Sequence, residues 1–386
     1  VTRVSFMEFL LTLWNYVVPF LAVLTVLVFV HEMGHYLVAR YCGVTIEVFS
    51  IGFGREIFGW NDAVGTRWKF GLFPVGGYVK MLGEMADSAP DEAEQPELPP
   101  ELPDSGSFNT KTLGQRAAVV FAGPFANFFF AVVLLTGMFI FVGQPYTPAD
   151  ISQVLPGSAA ERAGIKPGDV IKEINGTEIE RFEQVIRIVQ LAPGAALSIV
   201  VDRGGKQLSL STVSDAHELT DRFGNTHKVG RLGVSRSGGD MVMVRHNPAV
   251  AAWHAVGETA ALTGNILDSL WQIIAGTRST EELGGPIRIA QMSGDMWAAG
   301  LPNLLMFAAI LSINLGLINL FPVPMLDGGH LLFYVFEAIR GKPLDARAQD
   351  FGFRIGVAMV LALMVFATWN DLVQLRVVDF IVDLVT

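Results

Sequence analysis

Four stretches of this chain are apolar for long enough to cross a bilayer. Phe9 to Val30 contains no charged residue, and the apolar pattern continues past a short polar cluster to Val38-Ala39 before Arg40 stops it. Further runs extend from Ala117 to Val142, Leu301 to Pro322 and Ile355 to Trp369. A bilayer core demands roughly 20 residues of helix, so each run predicts one span, the first over residues 14–40. Between the first two, Val44 to Phe49, Thr66 to Phe73 and Gly77 to Met81 alternate with the period of strands, and Pro74-Val75-Gly76-Gly77 reads as a hairpin turn. Glu84 to Gly106 is rich in Asp, Glu and Pro and holds no Lys or Arg, the pattern of a solvated linker.

Residues 150–214 change character. Short helix, strand and turn signals alternate there, Asn175-Gly176 marks a tight turn and Phe182 to Val189 has helical spacing, which together predict a separate folded module. From Asn247 to Gly276 the chain is moderately apolar but carries Glu258 and Asp268 at positions compatible with one polar face, which predicts a helix lying on the membrane surface. Gly284-Gly285-Pro286 then breaks the chain. The expected organisation is residues 1–143 with two spans, the hairpin and the linker; 144–214 the module; 215–298 an external segment with the surface helix; and 299–386 the last two spans.

Composition sharpens this picture. Hydrophobic residues make up 51% and charged residues 17%, with mean hydropathy +0.44, too apolar for an ordinary soluble domain. The net charge of -10 argues against a nucleic-acid partner. One cysteine, Cys42, excludes an intrachain disulfide. The first run is too long for a cleavable signal peptide, and no small-residue cleavage site follows it. Arg40, Arg55, Lys111 and Arg116 flank the loop between spans one and two, and Arg340, Lys342, Arg347 and Arg354 crowd that between three and four. Those loops are expected in the cytoplasm, with both termini and residues 144–298 outside.

The polar cluster inside the first span is His31-Glu32-Met33-Gly34-His35. On a helix, residues four apart share one face about 6 Å apart along the axis, so two imidazoles can hold one Zn²⁺ while Glu32 faces its water. Ionisable groups at membrane depth are costly, and a bound cation compensates them. Among the acids, Asp327 lies at the membrane, in the run Asn319 to His330, where Pro322 and Pro324 should unwind the helix end and present Asp327 and Asn319 inward. Two histidines and one carboxylate leave a fourth position for water, as catalytic zinc sites do. His330 reads as a supporting residue, and His217, His227, His246 and His254 as surface or packing residues.

These passages, with Phe49 to Gly54, Gly76 to Met81, Gly123 to Phe128 and Gly285-Pro286-Ile287, resemble the site-2 protease family, and within it the bacterial regulator-of-sigma-E type, along nearly the whole chain. Residues from Pro156 to Gly176 resemble a PDZ domain, a fold that takes up an extended peptide by strand addition. The resemblance implies a polytopic α-helical membrane protein of the bacterial inner membrane, with four transmembrane helices, a membrane-associated β-hairpin and one inserted PDZ domain in the periplasm. The implied activity is zinc-dependent cleavage of a single-pass membrane protein, typically an anti-sigma factor, within or beside its transmembrane helix. The implied roles are His31, His35 and Asp327 for zinc, Glu32 for general base and acid, Asn319 for contact with the unwound substrate, and the hairpin at Gly76 and Gly77 for pairing with it. One departure stands out: a single PDZ-like module, where the best-known members have two. A competing reading is a noncatalytic membrane adaptor whose metal is structural and whose PDZ module binds peptide. A transporter is a third, weakened by the absence of inverted repeats.

Overall fold

The computed structural model describes residues 6–83, 106–146, 148–179, 181–190, 192–220, 226–235, 242–276 and 284–374. The expected acidic linker lies outside the described residues except for Gly106. Two compact units result, one of residues 1–138 and 248–386, the other of residues 139–247.

The first unit opens with α1 (Phe6–Tyr41), β1 (Ile46–Asn61), β2 (Arg67–Met81) and α2 (Leu113–Phe141). Long runs of leucine, β-branched and aromatic residues with few charges favour uninterrupted helix in lipid, where every backbone donor must be satisfied within the segment. Pro19 and Pro124 sit inside α1 and α2 without ending them. The strands pair antiparallel, and the chain reverses at Asp62 to Thr66, where Asp62 Oδ1 accepts from the backbone amides of Val64 (3.0 Å) and Thr66 (2.9 Å) and Gly65 takes a positive φ. The expected turn at Pro74-Val75-Gly76-Gly77 is instead a bend within β2, with Gly76 at φ 109°. Asp62 prevails because one carboxylate closes the turn and also takes hydrogen bonds from Tyr36 Oη (3.2 Å) on α1 and Trp68 Nε1 (3.1 Å). Phe49 stacks on Trp68 at 4.3 Å, so an aromatic core ties the hairpin together.

The second unit holds β3 (Gln144–Tyr146), β4 (Gln153–Val154), α3 (Ala159–Arg162), β5 (Val170–Ile174), β6 (Thr177–Glu178), α4 (Phe182–Gln190), β7 (Ala196–Arg203), β8 (Lys206–Val213), β9 (Asp215–Thr220), β10 (Thr226–Arg231), β11 (Val234–Ser235) and β12 (Val242–Val244). A four-stranded sheet runs β6-β5-β7-β8. Alternation along β7 turns Leu197, Ile199 and Val201 into a core with Ile151, Ile171 and Ile174. Asn175 and Gly176, both with positive φ, make the tight turn from β5 to β6. The boundary expected at residue 214 is too early. Leu232 is buried in this core, β11 pairs with β4, and β12 pairs with β3, so the returning strands complete the module. The first strands would otherwise leave backbone groups without partners.

The chain then re-enters the first unit with α5 (Pro248–Ile274), α6 (Pro286–Ala298), α7 (Leu301–Asn319), α8 (Asp327–Arg340) and α9 (Ala346–Gln374). Among the described residues, four helices are long and apolar enough to cross a membrane: Trp14–Tyr41, Leu113–Phe141, Leu301–Asn319 and Arg347–Val373. Helix α5 is not among them; it buries Ala251, Ala255 and Thr259 along one face and packs against α7. Helix α6 packs against α1, α7 and α9.

Candidate metal centre

His31 and His35 lie one turn apart on α1, both buried, with their Nε2 atoms 3.2 Å from each other. Four-residue spacing puts the rings on one face, and what faces them is α2. His35 Nδ1 lies 2.9 Å from the carbonyl oxygen of Val119, which can only accept. That bond holds the proton on Nδ1 and leaves Nε2 with a free lone pair, the form a metal ligand needs. His31 Nδ1 lies 3.0 Å from the side-chain amide of Asn127.

Helix α2 comes this close because two glycines clear the path. A Cβ on Gly123 would overlap His35 Nε2, and one on Gly34 would overlap the carbonyl of Ala122. Small residues at such crossings let backbones approach within membranes. On the opposite side, Ser312 Oγ of α7 donates to the carbonyl of Asn127 at 2.8 Å and fixes α7 against α2.

Asp327 arrives from far along the sequence. Helix α7 stops at Asn319, ahead of Pro322 and Pro324, and the chain folds back so that Asp327 opens α8. The fold-back is tight: a Cβ on Gly328 would overlap the carbonyls of Leu320 and Phe321, and one on Gly329 that of Val323. Asp327 Oδ2 thereby reaches 3.2 Å from His31 Nε2 and 3.6 Å from His35 Nε2. Asn319 brings its amide nitrogen to 3.5 Å from His31 Nε2. Helix α8 is anchored to α2 by the Arg116–Glu337 ion pair at 2.5 Å.

Glu32, half-buried, faces β2: a Cβ on Gly77 would come within 3.2 Å of Glu32 Cγ, and the backbone of Val79 offers a hydrogen bond to its carboxylate. Gly77 is therefore at the site, whereas Gly76 packs on the ring of Phe53. His330 is exposed and stands outside the group of donors. Asn127 and Gly123, quoted from the sequence only as part of a matching passage, line the site directly. The lone amide in an otherwise apolar span marks Asn127 as needing a partner, though not which one, and Gly123 carries no such mark.

The donor set suits a divalent cation. One ligand atom each from His31, His35 and Asp327 lies within 4.8 Å of the other two. Asp327 Oδ2 is buried with no hydrogen-bond partner, although two imidazole nitrogens face it. An orphaned carboxylate oxygen facing two imidazole nitrogens is costly by itself and is satisfied by a metal ion.

Comparison with known proteins agrees. The family model described as peptidase family M50 matches residues 19–363. Proteins carrying the name putative zinc metalloprotease from Agrobacterium fabrum and Rhizobium meliloti are 43% and 44% identical, over 94% and 95% of this chain and 97% and 99% of their own. Metalloprotease MmpA of Caulobacter vibrioides is 35% identical over 96% of this chain and 98% of its own. A PDZ domain of the SdrC-like protein of Listeria monocytogenes, 20% identical, covers 23% of this chain and 87% of that domain at a TM-score of 0.19, too slight a likeness to bear on the module's fold. Sequence match along nearly the full length and a two-histidine, one-aspartate donor set converge: this chain belongs to peptidase family M50, the site-2 protease family of zinc metalloproteases.

Proposed function

We propose that this chain is an intramembrane endopeptidase that cuts a single-pass membrane protein within or beside its transmembrane segment. The observation that carries the reading is the convergence of Asp327 on the His31–His35 pair, next to Glu32, in a helix of membrane-crossing length. A structural metal has no use for a carboxylate that is not a ligand, and Glu32 is one.

His31, His35 and Asp327 would hold the zinc ion, which when bound would supply Lewis acidity toward the scissile carbonyl and the attacking water. Glu32 takes a proton from the attacking water and delivers it to the departing amine nitrogen, so the carboxylate ends as it began. Asn319 offers amide donors to substrate backbone. A helical substrate hides its carbonyls in internal hydrogen bonds and must unwind before attack. Strand β2, which passes Glu32 at Gly77, offers a template on which the unwound segment can pair.

The substrate we favour is an anti-sigma factor or a similar membrane-bound regulator. The charge bias of the short loops supports placing the chain in a bacterial inner membrane with both termini and the module on the periplasmic side. For the module we favour a PDZ domain that binds peptide. A cavity of about 120 Å³ between α4 and residues 230–234, lined by Phe182, Val185, Ile186, Val189 and Leu232, has room for an apolar side chain of such a peptide. Mass spectrometry of membrane peptides from cells carrying wild type or Glu32→Gln tests the proposal. A peptide pair ending inside one transmembrane segment, present only with wild type, is the expected result; identical peptidomes would contradict it.

A further inference from the structure

We infer that Asn127 is a positioning residue for the metal centre: its side-chain oxygen accepts the Nδ1 proton of His31 and so presents Nε2 to the ion. The inference rests on the zinc reading of the site and adds to it the group that sets the state of one ligand.

Asn127 is fully buried in the middle of α2, in a run that is otherwise almost wholly apolar. An amide there is expensive unless both of its ends are used. Its nitrogen lies 3.0 Å from His31 Nδ1, while its oxygen is buried with no hydrogen-bond partner. In that orientation the amide donates to Nδ1, which suits an imidazole protonated on Nε2, and such a ring cannot ligate through Nε2. Half a turn about the Cβ–Cγ bond brings the unpartnered oxygen to the same place, where it accepts from Nδ1–H. The amide thus fits both states of the ring, and only the second fits a metal ligand.

Two neighbours make the assignment specific. His35, the other imidazole of the pair, has Nδ1 on the carbonyl of Val119, also from α2 and about two turns before Asn127. One helix therefore supplies an acceptor to each ring, and partners of this kind fix the tautomer and the orientation of metal-bound histidines. Ser312 Oγ, bonded to the backbone carbonyl of Asn127, holds that stretch of α2 against α7. Of the polar groups around His31, Asp327 and Asn319 stand at Nε2 and Asn127 at Nδ1.

The test is zinc affinity of the purified full-length protein in detergent, by competition with a chromophoric chelator, for wild type, Asn127→Ala and Asn127→Asp. Wild type binding one zinc checks the parent reading separately. The expectation is a roughly 10- to 100-fold loss of affinity in Asn127→Ala, the range for lost outer partners, and near-wild-type affinity in Asn127→Asp, which keeps an acceptor and has no donor. Unchanged affinity in Asn127→Ala, or an equal loss in a folded Asn127→Asp, would overturn the inference. Nitrogen-15 histidine spectra of the zinc-loaded wild type give a second reading independent of folding of the variants. His31 must then show a protonated Nδ1 in a hydrogen bond, and a deprotonated Nδ1 would overturn the inference as well.

Discussion

Gly123 is as demanding a residue as any ligand. It has no side chain because His35 Nε2 occupies the place a Cβ would take. Gly123→Ala is therefore expected to push α2 or the ring aside and to weaken zinc binding at least about tenfold, with an overpacking cost of roughly 1–3 kcal/mol. Chelator competition and thermal unfolding in the same detergent measure the two effects. At this scale the sequence was legible where chemistry is unusual. Two histidines and a glutamate in an apolar run announce themselves, and Asp327 follows because Pro322 and Pro324 just ahead of it break a span beside it. Gly123 and Asn127 were not legible as site residues. Their role depends on which face of α2 meets α1, and hydrophobic runs that are apolar all round carry no such information.

Elements are tied by single polar residues in otherwise apolar surroundings. Asp371, buried near the end of α9, accepts from the backbone amides of Gly285 (2.8 Å), Ile287 (3.0 Å) and Arg288 (3.0 Å), capping α6 from another helix. Asp371→Ala leaves those donors without this acceptor, and the expected loss is about 1–3 kcal/mol, seen as a lower unfolding midpoint in detergent with zinc stoichiometry retained. The Gly284-Gly285-Pro286 stretch was legible as a break in the chain, but neither the helix that starts there nor its distant cap was, because nothing local in sequence marks Asp371 as its partner. The hairpin shows the same limit. Strand character was legible from period-two alternation at residues 44–49 and 66–81, whereas the extension of β1 to Asn61 was not, and the reversal at Asp62 depends on Tyr36 and Trp68 reaching the same carboxylate.

In the module, Asp169 is buried and meets Arg203 at 2.7 Å. Hydrogen bonding to the Arg203 guanidinium holds its carboxyl below the usual carboxylate range. A depressed folded-state value means stability that is present above the unfolded value, near pH 4, and is lost as pH falls through the folded one. Hydrogen exchange of β5 and β7 in the full-length protein should therefore quicken below about pH 4, and Asp169→Asn should quicken it at neutral pH and flatten the dependence.

The whole molecule divides into a metal-bearing unit and an inserted module, and each is closed on itself. The module's extent was misread at its far end because β11 and β12 are too short to register as strands alone, and they owe their form to β4 and β3. Excising residues 150–214 would strip Leu232 and Val234 of their partners. Excision is better made across β3 and β12, where Gln144 pairs with Val244 and the cut ends lie side by side. If the module selects substrates, that deletion should leave zinc content unchanged and narrow the difference in cleavage between trimmed and full-length substrates. An unchanged ratio, with equal folding, would remove it from selection. The central claim, that Glu32 performs proton transfer at a zinc site it does not help to build, is met most directly by one paired measurement. Zinc content and turnover are determined on the same detergent preparations of wild type and Glu32→Gln. The account predicts equal zinc in both and a fall in turnover of at least about 100-fold, the lower bound for loss of a general base. Full turnover in Glu32→Gln, or loss of its zinc, would contradict it.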